Sequence, residues 1–117
     1  MNLRLLRGRS AEARARRLLE RAGLKTLGAN YLCRQGEIDI VMLDGDILVF
    51  VEVRYRAGKD FGGALASVDH RKQRKLARAA LHYLRGHPEH ANRGIRFDVI
   101  AMSEGEFNWV KDAFRPA

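Results

Sequence analysis

The chain has 117 residues, 46% of them hydrophobic and 31% charged, a composition that fits a single folded domain over 1–117 and excludes a disordered chain. Lys and Arg number 22 against 14 Asp and Glu, and the formal net charge of +8 favours a polyanionic partner, nucleic acid before membrane. Cys33 stands alone, which excludes an internal disulfide, and neither a signal peptide in 1–10 nor a membrane-spanning run is legible, so the expected location is the cytoplasm.

In chain order, 7–22 reads as a helix with an apolar stripe of Ala11, Ala15, Leu18, Leu19 and Ala22, ended by Gly23. Glu12 borders that stripe, about 75° from its centre at 100° per residue. A first strand is expected over 26–33, where alternation is poor, and a second over 36–42 with Ile38, Ile40 and Met42 on one side. Leu43-Asp44-Gly45-Asp46 is a tight-turn signal, and 47–55 is a strand by its β-branched and aromatic content. The glycines of 57–66 suggest a mobile loop, and their spacing excludes a phosphate-binding P-loop.

Ser67 is the expected N-cap of a second helix running to Leu84 or Arg85 and closed by Gly86. Its apolar stripe is Leu76, Ala77, Ala80, Tyr83 and Leu84, with Gln73 near the centre. A glutamine there either satisfies backbone in the core or reaches a site at the sheet edge. Arg71, Arg74, Lys75, Arg78, His82 and Arg85 form a basic outer stripe, a solvated face that also suits backbone phosphates. His87-Pro88-Glu89-His90 offers no fixed ligand geometry and reads as a pair of surface histidines in a loop. Strands are expected over 96–102 and 107–110, followed by a short tail. Helix, three strands, helix and two strands predict an α/β or α+β sandwich with the middle hairpin central.

The chemistry lies in that hairpin. Glu52 and Arg54 share one face of their strand because side chains alternate. With Asp44-Gly45 as the loop, Asp39 and Glu52 become diagonal neighbours with Cβ atoms roughly 7 Å apart. A four-residue loop sets them directly opposite, and a three-residue loop sends them to opposite faces unless a bulge intervenes. Paired carboxylates in a partly dry site need a cation. Mg²⁺ or Mn²⁺ suits all-oxygen ligands and can activate a water against a phosphodiester. The alternative is an ordinary ion pair between Glu52 and Arg54 on a solvated face, with Asp39 merely exposed.

Glu12, Gly36-Glu37-Ile38-Asp39-Ile40-Val41, Val49-Phe50-Val51-Glu52-Val53-Arg54, Arg96-Phe97-Asp98-Val99-Ile100 and Trp109-Val110-Lys111-Asp112-Ala113-Phe114 together resemble the YraN family of small bacterial proteins. That family looks like a relative of Holliday-junction resolvases and restriction endonucleases of the PD-(D/E)XK superfamily. The resemblance implies a restriction-endonuclease-like core with a mixed sheet flanked by helices and a divalent ion, Mg²⁺ or Mn²⁺, at one edge. It implies a metal-dependent nucleic-acid-binding protein with DNA as partner, including an endonuclease acting on branched or single-stranded DNA. The rival expectation is an inactive binding module or adaptor that keeps the fold. By position, Asp39 and Glu52 would ligate the ion, Glu12 would be the helix-borne acid, Arg54 would hold the phosphate, and Gln73 would lie near the site. Arg54 stands where the superfamily usually has lysine, and arginine cannot act as a general base. Arg71, Arg74, Lys75 and Arg78 are the first choice for DNA contact, with Arg34, Arg54, Arg56 and Lys59 as the second. Resolvase relatives act as dimers, but no apolar patch in the sequence demands one.

Overall fold

The strands Ile47–Tyr55 (β3) and Ile95–Ser103 (β4) are nearly unbroken apolar runs, and in the computed structural model both are covered on two faces. The structure describes residues 3–56 and 61–116. Leu3–Arg21 (α1) leads into Lys25–Cys33 (β1), Gly36–Asp44 (β2) and β3; Phe61–Ala66 (α2) and His70–Gly86 (α3) connect to β4 and Glu106–Val110 (β5). The five strands form one sheet in sequence order. β3 and β4 are parallel, which requires a crossover, and α2 and α3 supply it; the other pairings are antiparallel.

Each long helix covers one face. Ala11, Ala15 and Leu19 of α1, spaced by four residues, pack on Ile40, Met42, Val49, Val51, Ile100 and Met102. Leu76, Ala79, Ala80 and Tyr83 of α3 pack on Ile38, Val41, Leu48, Phe50, Phe97 and Val99. Alanines at the contacts let the helices lie close to the sheet. Among the described residues no helix is long and apolar enough to cross a membrane.

Several expectations are corrected. The β2–β3 loop is Gly45-Asp46, because Asp44 pairs with Ile47; Gly45 alone supplies the positive φ, 59°, at the first loop position. Ile38 does not share a face with Ile40 and Met42 but joins the α3-side core. Ser67 does not cap the second long helix; its hydroxyl donates to Ala64 O, and Asp69 caps α3 by accepting from Lys72 N at 2.9 Å. A shorter side chain at Ser67 is used up locally, which leaves the capping position to the next acid. Phe61–Ala66 is helical rather than loop, while Gly58 and Lys59 lie outside the described residues. α3 continues through Gly86 to a cap at His87, and Ala22 is exposed. The two loop histidines are not surface groups. His87 is half-buried and stacks on Tyr83 at 3.9 Å, and His90 is buried with its Nδ1 accepting from Arg93 Nε at 2.9 Å.

The expected tail also folds back. Buried Asp98 accepts from Arg96 Nε at 2.8 Å and Nη2 at 3.0 Å, from Trp109 Nε1 at 3.0 Å and from Asp112 N at 3.0 Å. Phe114 then stacks on Phe97 with centroids 5.0 Å apart. Arg96 carries on to Asp44 Oδ2 at 2.9 Å, and its guanidinium is held above its usual range, chiefly by Asp98. Asp98→Ala leaves a half-buried guanidinium and two other donors short of an acceptor. We expect a loss of about 3–5 kcal/mol in urea unfolding followed by Trp109 fluorescence; a loss below about 1 kcal/mol would mean that solvent replaces this carboxylate.

Candidate metal centre

Residues Asn30 and Asp39 interrupt the β1–β2 pairing a second time, after a register shift between Thr26 and Gly28. On either side, Ala29 pairs with Ile40 and Tyr31 with Ile38, and Asn30 takes a left-handed φ of 54°. Asparagine tolerates that conformation better than most residues. Both strands change facing across this step: Ile40 belongs to the α1-side core and Ile38 to the α3-side core. The β2–β3 ladder ends at Ile40 and Val51. Its register, carried one step further, sets Asp39 directly opposite Glu52. There the main chain of Val53 donates to Asp39 Oδ2 at 2.8 Å, so a carboxylate takes the place of a strand carbonyl.

The carboxylates gather around that break. Oxygens of Glu12, Glu37 and Asp39 lie within 4.8 Å of one another. Asn30 Nδ2 bridges two of them, donating to Glu12 Oε2 at 2.7 Å and Glu37 Oε1 at 3.0 Å. Asp39 is hydrogen-bonded to the Glu52 carboxyl as well, and burial together with Glu52 pushes it up to about 10. Glu52 itself is 4% exposed and lies on the α3 side, where Lys72 Nζ reaches its Oε2 at 3.2 Å and Arg54 Nη2 at 3.4 Å. Four acids are thus joined through Asp39, three on the α1 side and one neutralised by two cations.

Arg54 is poorly satisfied. Its Nε is buried with no partner among the described residues, and its contact with Glu52 is long. A planar guanidinium with donors to spare beside carboxylates is suited to an oxyanion such as a phosphate. Gln73, the residue expected near the site, gives its Nε2 to Val68 O at 3.1 Å and so holds the turn between α2 and α3. The α3 residue on the carboxylates is its neighbour Lys72. Arg71, Arg74, Lys75 and Arg78 are all exposed on the outer face of α3.

Three participants escaped the sequence reading as site residues: Glu37, Asn30 and Lys72. Glu37 was visible in the Glu-Ile-Asp triplet, but regular alternation gave no reason to bring it together with the helix acid. The poor alternation of 26–33 was the trace of Asn30. Lys72 carried no signal separable from the basic stripe around it.

The donor set fits a hard divalent cation. It offers carboxylate oxygens only, three of them within 4.8 Å of one another, in a partly dry setting.

Comparison with known sequences adds a family. The model of the uncharacterised protein family UPF0102 matches residues 11–102, which takes in Glu12, Glu37, Asp39, Glu52, Arg54 and Lys72. The chain is 49% identical over 112 residues to a UPF0102 protein of Alcanivorax borkumensis, with 92% of this chain and 90% of the relative covered. It is 53% identical over 113 residues to one from Pseudomonas syringae pv. syringae, covering 92% and 91%. A UPF0102 protein of Halorhodospira halophila is 53% identical over 109 residues, covering 93% and 87%.

The raised Asp39 pKa has a signed consequence. The folded, metal-free protein keeps a proton that the unfolded chain releases near 3.8, so stability falls as pH rises from there toward about 10. Asp39→Asn removes that titration and the repulsion behind it. The variant should be more stable than wild type by about 1–3 kcal/mol at pH 8 without metal and nearly equal to it at pH 4, in urea melts at both pH values. Equal stability at pH 8 would show that Asp39 ionises freely.

Proposed function

The chain belongs to the UPF0102 family, and we propose that it is a divalent-metal-dependent nucleic-acid-binding protein that hydrolyses phosphodiester bonds in branched or single-stranded DNA. The observation that carries this reading is the convergence of Asp39 with Glu12 and Glu37, their oxygens within 4.8 Å of one another and Glu52 next to Asp39 on the neighbouring strand, since carboxylates gathered so closely call for protons or a cation among them. The mixed sheet with helices on both faces and acids where two strands part agrees with a restriction-endonuclease-like core.

Asp39, Glu12 and Glu37 would hold Mg²⁺ or Mn²⁺, with Glu52 reached through Asp39 or directly once its own cations shift. A bound divalent ion supplies charge neutralisation and an activated water. The remaining work falls to the chain. Val53 N–H fixes one oxygen of Asp39, and Asn30 holds Glu12 and Glu37 together. Arg54 binds the phosphate and stabilises charge developing on it. Arginine cannot act as a general base, so any proton transfer from water falls to a carboxylate.

A second reading is favoured by one observation. Glu52 already carries two cationic partners, Lys72 and Arg54, which is how a spent site would settle its charge. In that reading the protein binds nucleic acid as an adaptor and does not cleave it.

Calorimetric titration of Mn²⁺ tests the metal site: wild type should bind, and Asp39→Ala should lose at least tenfold in affinity. Wild type, this variant and Arg54→Lys are then incubated with Mg²⁺ or Mn²⁺ and linear, flapped and four-way DNAs. Product from wild type alone supports the nuclease. Binding without product, with cleavage gained on Arg54→Lys, supports the adaptor. Absence of both Mn²⁺ binding and DNA binding in wild type overturns the two together.

A further inference from the structure

On the α1 side of the carboxylates lies a groove of about 220 Å³, walled by Arg9, Glu12, Ala13 and Arg16 of α1 and by Ala29 and Asn30 of β1. Positions 9, 12, 13 and 16 recur at three- and four-residue intervals and so share one helix face. Arg9 and Arg16 are exposed, and neither is paired with a carboxylate among the described residues. Two cations therefore bracket Glu12, one helical turn away on either side. Seven residues of helix separate them by about 10 Å along the axis. That is at most about three nucleotide steps, since 3.4 Å is the rise of a stacked duplex strand and an extended single strand spaces its phosphates more widely.

We propose that this groove is the track for a single nucleic-acid strand, with Arg9 and Arg16 holding two phosphates and the backbone between them lying over Glu12 and Asp39. The inference rests on the nucleic-acid reading above and specifies which surface carries it. The small side chains of Ala13 and Ala29 leave room for a sugar-phosphate backbone, whereas a groove of this volume is too narrow for a duplex. The outer stripe of α3 is the competing surface. It lies across the sheet from the Glu12–Glu37–Asn30 cluster, since α1 and α3 cover opposite faces. A strand running along Arg71, Arg74 and Arg78 would meet Glu52 and Lys72 at most and would bypass the three acids that converge. In the α1 groove the attractive charges and the converging acids lie together.

The test measures binding of labelled oligothymidylate, and of a duplex of equal length, over a range of salt in metal-free buffer. In Arg9→Gln/Arg16→Gln the log–log salt slope for the single strand should fall by about 1.4, from about 0.7 for each phosphate. With the lines meeting near 1 M salt, that is about 25-fold weaker binding at 0.1 M. Arg71→Gln/Arg74→Gln/Arg78→Gln should keep the wild-type slope. Ala29→Phe, which fills the groove without altering charge, should weaken single-strand binding while leaving the urea midpoint of the exposed site unchanged. An unaltered slope in the α1 variant, a loss carried by the α3 variant, or equal losses for strand and duplex each overturn the proposal. Mn²⁺ calorimetry on the same proteins separates it from the metal reading. Normal Mn²⁺ binding with unaltered DNA binding in the α1 variant removes the groove alone. A slope loss as expected with no Mn²⁺ heat in wild type keeps the groove and removes the metal.

Discussion

A strand N–H that loses its partner inside a protein must find another acceptor, and at Val53 the acceptor is the Asp39 carboxylate. Much of the site follows from that single substitution of side chain for main chain. It pins Asp39 at the point where β2 and β3 cease to pair, half inside the sheet and beside Glu52. The neighbouring step in β1 is taken by Asn30 in a left-handed conformation, and its amide draws Glu12 and Glu37 toward the same place. A regular ladder continued from Ile40 would have kept Asp39 and Glu37 together on the α3 side, away from Glu12.

Two buried aspartates in adjacent parts of the sheet show how differently the same side chain can be used. Asp98 has four donors on its two oxygens and closes the carboxy-terminal segment onto β4. Asp39 has one main-chain donor and three acidic neighbours, and its charge is suppressed. The first arrangement is complete as it stands. The second is stable only with a proton or a cation, and that unmet demand is what distinguishes a ligand site from a structural one.

The cations are arranged with equal asymmetry. On the α3 side Lys72 and Arg54 attend Glu52, and the exposed arginines of α3 face away from the converging acids. On the α1 side Arg9 and Arg16 flank Glu12 along an open groove. A net charge of +8 says nothing about this division. It arises because the sheet separates the two helices and the acids gather mainly on one side of it.

Much was legible before folding. Apolar runs marked β3 and β4, the period of Ala11, Ala15 and Leu19 marked the buried side of α1, and Asp-Gly placed the hairpin to within one residue. Carboxylates interrupting apolar strands located Asp39 and Glu52, because burial of such groups is unfavourable unless something compensates. The loop was misplaced by one residue, which moved the register so that Asp39 stands opposite Glu52 instead of diagonal to it. What the sequence left undetermined was everything that depends on departures from regular geometry. The reversal of facing at Asn30 and Asp39 recruits Glu37, and α3 docks through Leu76, Ala79, Ala80 and Tyr83 so that Lys72 meets Glu52 while Gln73 is taken up by Val68 O. Local periodicity determines which residues are buried because each strand or helix repeats its own pattern. Which charges meet across elements was decided only by the tertiary structure, because a single left-handed residue such as Asn30 changes which face of a strand its neighbours occupy and the docking of α3 decides which of its side chains reaches the sheet.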